Sequence, residues 1–210
     1  MNYVKIRNQL RDVYDDLAVY WGKDTTLWDW GLDDIEEFSK IVKDAGESKV
    51  LDLGCGSGVH AKHLFDEGLE VYGLDLSPKM INEAKRRVPK GKFVVGDMNS
   101  LPYKDEFFGG VYARASLLHI PKTRIAKVLK DVHRVLEPGG IFYLALKEGE
   151  GEEEKEDMRH GNKVKRFFAY FKEDEIKRYL ENAKFEVLKV KKFSRTKNST
   201  AWLLIFAEKL

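Results

Sequence analysis

Residues 50–58 read VLDLGCGSG. KVLDL (49–53) predicts a short buried strand that carries a carboxylate, Asp52, near its end. Glycine then takes positions 54, 56 and 58. It is the residue for backbone that must take unusual dihedrals or let a ligand touch the main chain. The stretch that follows, through Leu64 and Phe65, reads as a helix. A strand, a glycine turn and a helix N-terminus together make a site for polar or anionic groups. A P-loop would place Lys-Ser/Thr after the last glycine, and Gly58 is followed by Val59 and His60. The dinucleotide pattern GxGxxG would place the third glycine one position later. What remains is GxGxG after an acidic strand end.

Working outward, LEVYGLDL (69–76) predicts a second strand ending at Asp75, where a carboxylate can accept both hydroxyls of a ribose. Ser77-Pro78 is an N-cap followed by proline at the first helical position, and its helix carries Met80, Ile81 and Ala84. KFVVGD (92–97) predicts a third strand, and Asp97-Met98 at its end sets a polar group beside a soft apolar one. GGVYARAS (109–116) predicts a fourth strand, and Thr123–Leu136 an amphipathic helix stopped by Pro138-Gly139-Gly140. IFYLAL (141–146) predicts a fifth strand. Residues 148–157 are mostly glutamate and read as a loop. A helix over 172–182 precedes two last strands, 184–193 and 200–209. Upstream, 3–20 and 33–44 show helical spacing, joined by a linker that holds three of the four tryptophans. Strands alternating with helices argue a doubly wound, mostly parallel sheet, with ligands at the carboxyl ends of the strands.

The bulk numbers set limits. The 210 residues suit one α/β domain. Net charge is +2 with 34% charged residues, which is not the overall footprint of a nucleic-acid binder. Basic residues nevertheless outnumber acids from 158 to 200. One cysteine, Cys55, excludes a disulfide framework and a multi-cysteine zinc site. His60 and His63 share a helix face, yet no third metal ligand is evident. Short apolar runs predict no transmembrane helix, and the opening MNYVKIRNQLRDVYDD lacks the apolar core of a signal peptide. A cytoplasmic location is expected, and high Lys and Glu with a single Gln hints at a thermophile.

Five stretches, VLDLGCGSG (50–58), VYGLDLSPKM (71–80), VVGDMNSLPY (94–103), SLLHIP (116–121) and VLEPGGIFYLAL (135–146), stand in an order and spacing that resembles class I S-adenosylmethionine-dependent methyltransferases. The likeness is to the small single-domain, type 11/25-like kind. YDDLAVY (14–20) also resembles a helix that covers the cofactor in that family. The resemblance implies a Rossmann-like seven-stranded sheet of order 3-2-1-4-5-7-6, strand 7 antiparallel, with helices on both faces. It implies one domain over 1–210: cap helices to 48, a cofactor core over 49–147, an insertion or lid over 148–171, and a C-terminal helix and strand pair over 172–210.

It further implies that S-adenosyl-L-methionine meets Gly54 and Gly56 at its methionine moiety, with Cys55 between them in the turn. Asp52 would orient that moiety and Asp75 would take the ribose hydroxyls. Leu76 and Met98 would pack on adenine, Asp97 would accept from its amino group, and the backbone near Arg114 would meet the amino-acid end. Tyr14 and Tyr20 would close the site. Many relatives carry aspartate where this chain has Gly109, which puts the geometry of that strand end in doubt. His119, after the fourth strand on the pocket side, is the candidate general base, with a structural histidine as the alternative.

The motifs specify the methyl donor and leave the acceptor open. A small-molecule methyltransferase would admit its acceptor between the N-terminal helices and the insertion, walled by Tyr20, Trp21, Phe167, Phe168 and Tyr170. A tRNA methyltransferase is the second reading. RFFAYFKEDEIKRYL (166–180) and TAWLLIFAEK (200–209) loosely resemble the tail of enzymes that methylate carboxymethylated wobble uridines. The basic 158–200 segment would then meet phosphate. A third reading is a non-catalytic S-adenosylmethionine-binding module. A dinucleotide oxidoreductase fits worst, given the glycine spacing.

Overall fold

The computed structural model describes residues 2–21, 23, 31–194, 196 and 200–210. Two helices, α1 (Tyr3–Trp21) and α2 (Leu32–Asp44), precede the alternating core. That core runs β1 (Lys49–Leu53), α3 (Val59–Asp66), β2 (Glu70–Asp75), α4 (Pro78–Arg87), β3 (Lys92–Val95), β4 (Phe108–Arg114), α5 (Lys122–Val135) and β5 (Leu136–Lys147). A hairpin follows, β6 (Glu152–Arg159) and β7 (Asn162–Ala169), then α6 (Glu173–Asn182), β8 (Phe185–Phe193) and β9 (Trp202–Lys209). Tryptophans Trp28 and Trp30 of the expected linker lie outside the described residues.

The main sheet has the order β3-β2-β1-β4-β5-β9-β8. The first five strands in that order are parallel, and β9 runs antiparallel to both β5 and β8. This is the expected 3-2-1-4-5-7-6 topology with a hairpin inserted ahead of the last pair. β1 and β4 are buried almost throughout because helices cover both faces, so they read as continuous apolar runs. On one face Ile35, Phe38 and Val42 of α2 pack with Val50, Tyr112 and Tyr143. On the other, Ile125, Val128, Leu129 and Val132 of α5 pack with Phe108, Val111 and Phe142. Apolar residues at helical spacing made these faces legible in the sequence.

The structure corrects the reading of two segments. The glutamate-rich stretch expected as a loop forms β6, paired in register with β7 from Glu152↔Ala169 to Arg159↔Asn162. Glutamate is a poor strand former, which hid the strand. Its partners supply what its propensity lacks: Lys163 and Lys165 lie 2.6 Å from Glu156 and Glu154. His160 (φ +49°) and Gly161 (φ +80°) make the two-residue turn, where positive φ at both positions matches the twist of a hairpin. The second correction is at Pro138-Gly139-Gly140. β5 already pairs at Leu136↔Phe108, and the Pro-Gly-Gly stretch is absorbed in an irregularity before Ile141↔Gly110.

The departure at Gly109 has a local cause. A Cβ there would stand 2.2 Å from Cβ of Glu47, so the α2–β1 connection leaves no room for a side chain. Strand β4 is regular across that position up to Arg114.

The N-terminal helix is fastened to the core through a carboxylate. Asp15 on α1 accepts from the Ser77 hydroxyl at 2.5 Å and from the Lys79 amide at 3.0 Å. Ser77 in turn caps α4 by accepting from the Met80 amide at 3.0 Å. Leu17 and Ala18 of α1, Met80 of α4 and Val164 of β7 close one small apolar cluster. Helix α1, the start of α4 and the hairpin therefore meet beside the carboxyl end of β2.

Candidate functional site

The turn after β1 is built for close approach. Gly54 has φ +81°, and a Cβ on it would come 2.3 Å from Cβ of Ser116, which follows β4. Only glycine allows the two loops to touch. In front of Gly56 (φ +52°) the space is open, with no atom within 4 Å of a built Cβ. The turn is pinned to β2: the Gly54 and Cys55 amides both donate to the Leu74 carbonyl. Asp75 accepts from the Gly56 amide at 2.9 Å and from the Ser77 amide at 2.9 Å, one on each oxygen. A carboxylate has about four lone-pair sites, so acceptor capacity remains for two hydroxyls. Burial raises the Asp75 carboxyl above its ordinary pKa and the charge of Asp15 adds to this, while the Ser77, Gly56 and Leu76 amides oppose it.

A cavity opens above this turn. Gly54, Cys55, Gly56, Asp75, Leu76, Met98 and Arg114 line it, as expected, together with Tyr14 and His119. Gly96, which precedes Asp97, lines it too. Other wall residues had been given no place at a cofactor site from the sequence, among them Tyr3, Arg7 and Leu10 of α1, Val59 and His60 of α3, and Ser116 and Ile120 after β4. The apolar members sit at ordinary core spacing, so nothing in the sequence marked them.

Three of the expected residues stand elsewhere or otherwise. Tyr20 is 42% exposed and outside the cavity wall; its ring stacks on His160 at the hairpin tip, 5.4 Å between centroids. It lies six residues beyond Tyr14, roughly 1.7 turns of helix, which carries it past the opening that Tyr14 faces and onto another side of α1. Asp97 is engaged by the protein, accepting from the Tyr3 hydroxyl at 2.6 Å and the Asn99 amide at 2.9 Å, with Arg7 3.7 Å away. Asp52 is buried beneath the turn. Burial, and then the charge of Asp75, push its carboxyl up to about 8 against a backbone bond from Ala61.

Arg114 closes β4 as part of a buried knot. Its Nη1 lies 3.2 Å from the hydroxyls of both Tyr112 and Tyr143 and 3.5 Å from Asp34 of α2. The next residue, Ala115, has φ +54°. Such a conformation costs a non-glycine residue about 1–3 kcal/mol, and it turns the main chain beyond Arg114 into the cavity wall. Among the expected aromatic walls, Trp21 lines the cavity, Phe167 and Phe168 are buried, and Tyr170 is half-buried. Among the described residues no cluster of three or more His, Cys, Asp or Glu could hold a metal, and His60 and His63 gain no third ligand. Among the described residues no helix is long and apolar enough to cross a membrane.

At the outer wall stand Tyr14 and His119. The Nδ1 of His119 lies 2.7 Å from the Phe167 carbonyl. A carbonyl only accepts, so Nδ1 carries the proton and Nε2 keeps its lone pair. The Tyr14 hydroxyl, 2.8 Å away, therefore donates to Nε2. Arg166 on β7 donates from Nη1 to the Tyr14 oxygen at 3.1 Å and from Nη2 to Asp157 at 2.6 Å. Burial, together with the cations Arg166 and Lys147, drives the His119 pKa down to about 3 against the Phe167 bond. Arg166 was not foreseen, because its strand was read as part of an irregular insertion.

His60 behaves alike. Burial first, then Arg114 and His63, lower its pKa to about 3. An imidazole held neutral in the fold contributes stability that is complete above the unfolded pKa of about 6.5 and is lost as pH falls below it. The slope is at most about 1.4 kcal/mol per pH unit for one proton. His60→Leu removes that proton from the balance. Between pH 6.5 and 4 the thermal midpoint of the wild type should fall more steeply than that of the variant (about 6.5 being the unperturbed histidine value). Parallel curves would show that His60 titrates normally in the fold.

The comparisons with known proteins agree with this geometry. A family model described as a methyltransferase domain matches residues 51–144. An uncharacterized methyltransferase of Synechocystis sp. is 41% identical over 96 residues, 46% of this chain and 45% of that protein. A demethylmenaquinone methyltransferase of Chlorobaculum parvum is 30% identical over 147 residues, 67% of this chain and 60% of that protein. The chain thus spans about half the length of these curated relatives. A SAM-dependent methyltransferase from Methanosarcina mazei superposes with a TM-score of 0.69 at 26% identity, covering 78% of this chain and 93% of that one. The fold is also shared with a 1,6-didemethyltoxoflavin-N1-methyltransferase of Burkholderia thailandensis, solved with 1,6-didemethyltoxoflavin and S-adenosylhomocysteine. That TM-score is 0.73 at 22% identity, over 99% of this chain and 88% of that one.

Proposed function

We propose that this chain, which carries a class I S-adenosylmethionine-dependent methyltransferase domain, moves a methyl group to a small-molecule acceptor by in-line displacement. The observation that carries the reading is the Tyr14–His119 hydrogen bond on the wall of the same cavity that holds the glycine turn and Asp75.

The residues divide into two sets. Gly54, Gly56 and the main chain after Arg114 would receive the cofactor's methionine end. Asp75 would hold the ribose, and Leu76 and Met98 the adenine. Asp97, already bound to Tyr3, would use what acceptor capacity remains. Asp52 would support the turn from below. S-adenosylmethionine, when bound, supplies a methyl group on a sulfonium, a strong electrophile that needs no further activation. Holding the acceptor in line then provides much of the acceleration.

The second set moves a proton. The Tyr14 oxygen donates to His119 and accepts from Arg166, which leaves it one lone pair. An acceptor hydroxyl can donate to that lone pair. As its oxygen is methylated, its proton passes to Tyr14 while the Tyr14 proton passes to Nε2 of His119. A histidine held so far below its ordinary pKa is a weak base. It takes a proton readily from an oxygen turned acidic by methylation and poorly from a free ammonium. This favours an oxygen acceptor.

The two other readings gain no such support. In the basic 158–200 segment, Lys163, Lys165, Lys172, Lys177, Lys189, Lys191 and Lys192 each sit within ion-pair distance of a glutamate. Each of these lysines therefore has an acidic neighbour that lowers the local positive potential, which weighs against the tRNA reading. A non-catalytic module would have no use for a proton relay at the cavity wall. The test is transfer of labelled methyl from S-adenosylmethionine into a fractionated cell extract. Counts in the small-molecule fraction are expected. Counts confined to a ribonuclease-sensitive fraction would overturn the acceptor class, and no counts with the cofactor bound would overturn the enzyme.

A further inference from the structure

The inner face of the hairpin carries more positive charge than its carboxylates neutralise. Residues directly opposite in an antiparallel pair share a face, so Glu153, Lys155, Asp157 and Arg159 stand with Val164, Arg166 and Phe168. Beneath them, Lys147 ends β5, and its Nζ lies 4.2 Å from the centre of the Phe168 ring. The guanidinium of Arg166 lies 5.0 Å from the same ring. One aromatic side chain is thus shared by two cations, and the same ring sits 5.0 Å from the ring of His119.

The carboxylates nearby are committed. Asp157 accepts from Arg166 and from Arg159 at 2.6 and 2.9 Å. Glu153 accepts from the Tyr170 hydroxyl at 2.7 Å. Glu154 and Glu156, on the opposite face, are taken by Lys165 and Lys163. Arg166 is 4% exposed, and its Nε is a buried donor with no hydrogen-bond partner. Such a donor is destabilising unless something answers it. Lys147 responds to the same surroundings. Burial and then Arg166, Lys155 and Arg159 lower its pKa to about 8.

Resting on the methyltransferase reading above, we propose that the acceptor carries an anionic oxygen group, a carboxylate or a phosphate ester, held between Lys147 and Arg166 beside Phe168. Arg166 also touches Tyr14, so the anionic group and the methylated atom stand one guanidinium apart. This makes the hairpin a specificity element: it selects short, anionic acceptors whose nucleophile reaches Tyr14 while the charge rests on Lys147.

The test is calorimetric titration of the S-adenosylhomocysteine-saturated chain with inorganic phosphate and, separately, with benzoate. The wild type, Lys147→Gln and Lys147→Arg are compared at low salt. Saturable binding is expected for the wild type, about tenfold weaker in Lys147→Gln and restored by Lys147→Arg. Tighter phosphate assigns a phosphate ester, and tighter benzoate assigns a carboxylate. Absence of saturable binding of either anion to the wild type overturns the proposal, and so does equal binding by Lys147→Gln. Failure of the wild type to bind S-adenosylhomocysteine is a separate result, which overturns the reading on which this one rests.

Discussion

Asp75→Ala should weaken binding of S-adenosylhomocysteine about tenfold or more, at least about 1.4 kcal/mol. The carboxylate stands at the end of β2, inside the cavity wall, with each oxygen already fixed by one backbone amide. Those two amides hold its orientation, and its remaining lone pairs face the opening. Hydrogen bonds to a charged group contribute about 1.5–3 kcal/mol each, so loss of two ribose contacts is a large effect. The substitution also frees the Gly56 amide and loosens the turn, which acts in the same direction. Calorimetry gives the affinity directly. Thermal unfolding gives a second view, because a ligand that binds only the folded state raises the midpoint, and at the same ligand concentration this rise should shrink by the equivalent of about 1.4 kcal/mol or more in the variant. An unchanged affinity would remove Asp75 from the ribose site.

His119→Ala should lower kcat about 100-fold or more while affinity for S-adenosylhomocysteine changes little. Tyr14→Phe should do nearly the same, and the double variant should be no worse than either, since the two groups form one relay. The pH profile distinguishes this from a packing defect. With the His119 pKa near 3, the wild-type rate should show no histidine inflection between pH 5 and 8. A rate that falls through the ordinary histidine range would mean that His119 charges freely. Independent, additive losses in the two single variants would mean that no proton passes between them.

The fold was legible where local signals and burial agree. The strands β1, β2, β4 and β5 read as apolar runs because the sheet is buried on both faces, and Ser77-Pro78 announced α4 by capping chemistry alone. The hairpin was illegible for the opposite reason. Its strands are charged, its turn residues His160 and Gly161 are unremarkable in isolation, and its stability comes from cross-strand pairs that only three-dimensional register creates. The site divides the same way. Gly54, Gly56 and Asp75 stood out because a glycine turn after one strand and a carboxylate ending the next each have a physical reason, Leu76 and Met98 because the resemblance implied them, and all five line the cavity. Tyr20, implied by the resemblance, lies outside the cavity wall because the direction of a helical side chain depends on how α1 docks, which Asp15 helps to fix through Ser77 and Lys79. Arg166, 152 residues from Tyr14, left no trace in the sequence pattern.

The most direct test of the whole account is a crystal structure of this chain with S-adenosylhomocysteine. The account predicts ribose hydroxyls within hydrogen-bond reach of Asp75, adenine between Leu76 and Met98, and the sulfur turned toward Tyr14 and His119. A nucleoside bound elsewhere, or a sulfur facing away from that pair, would contradict it.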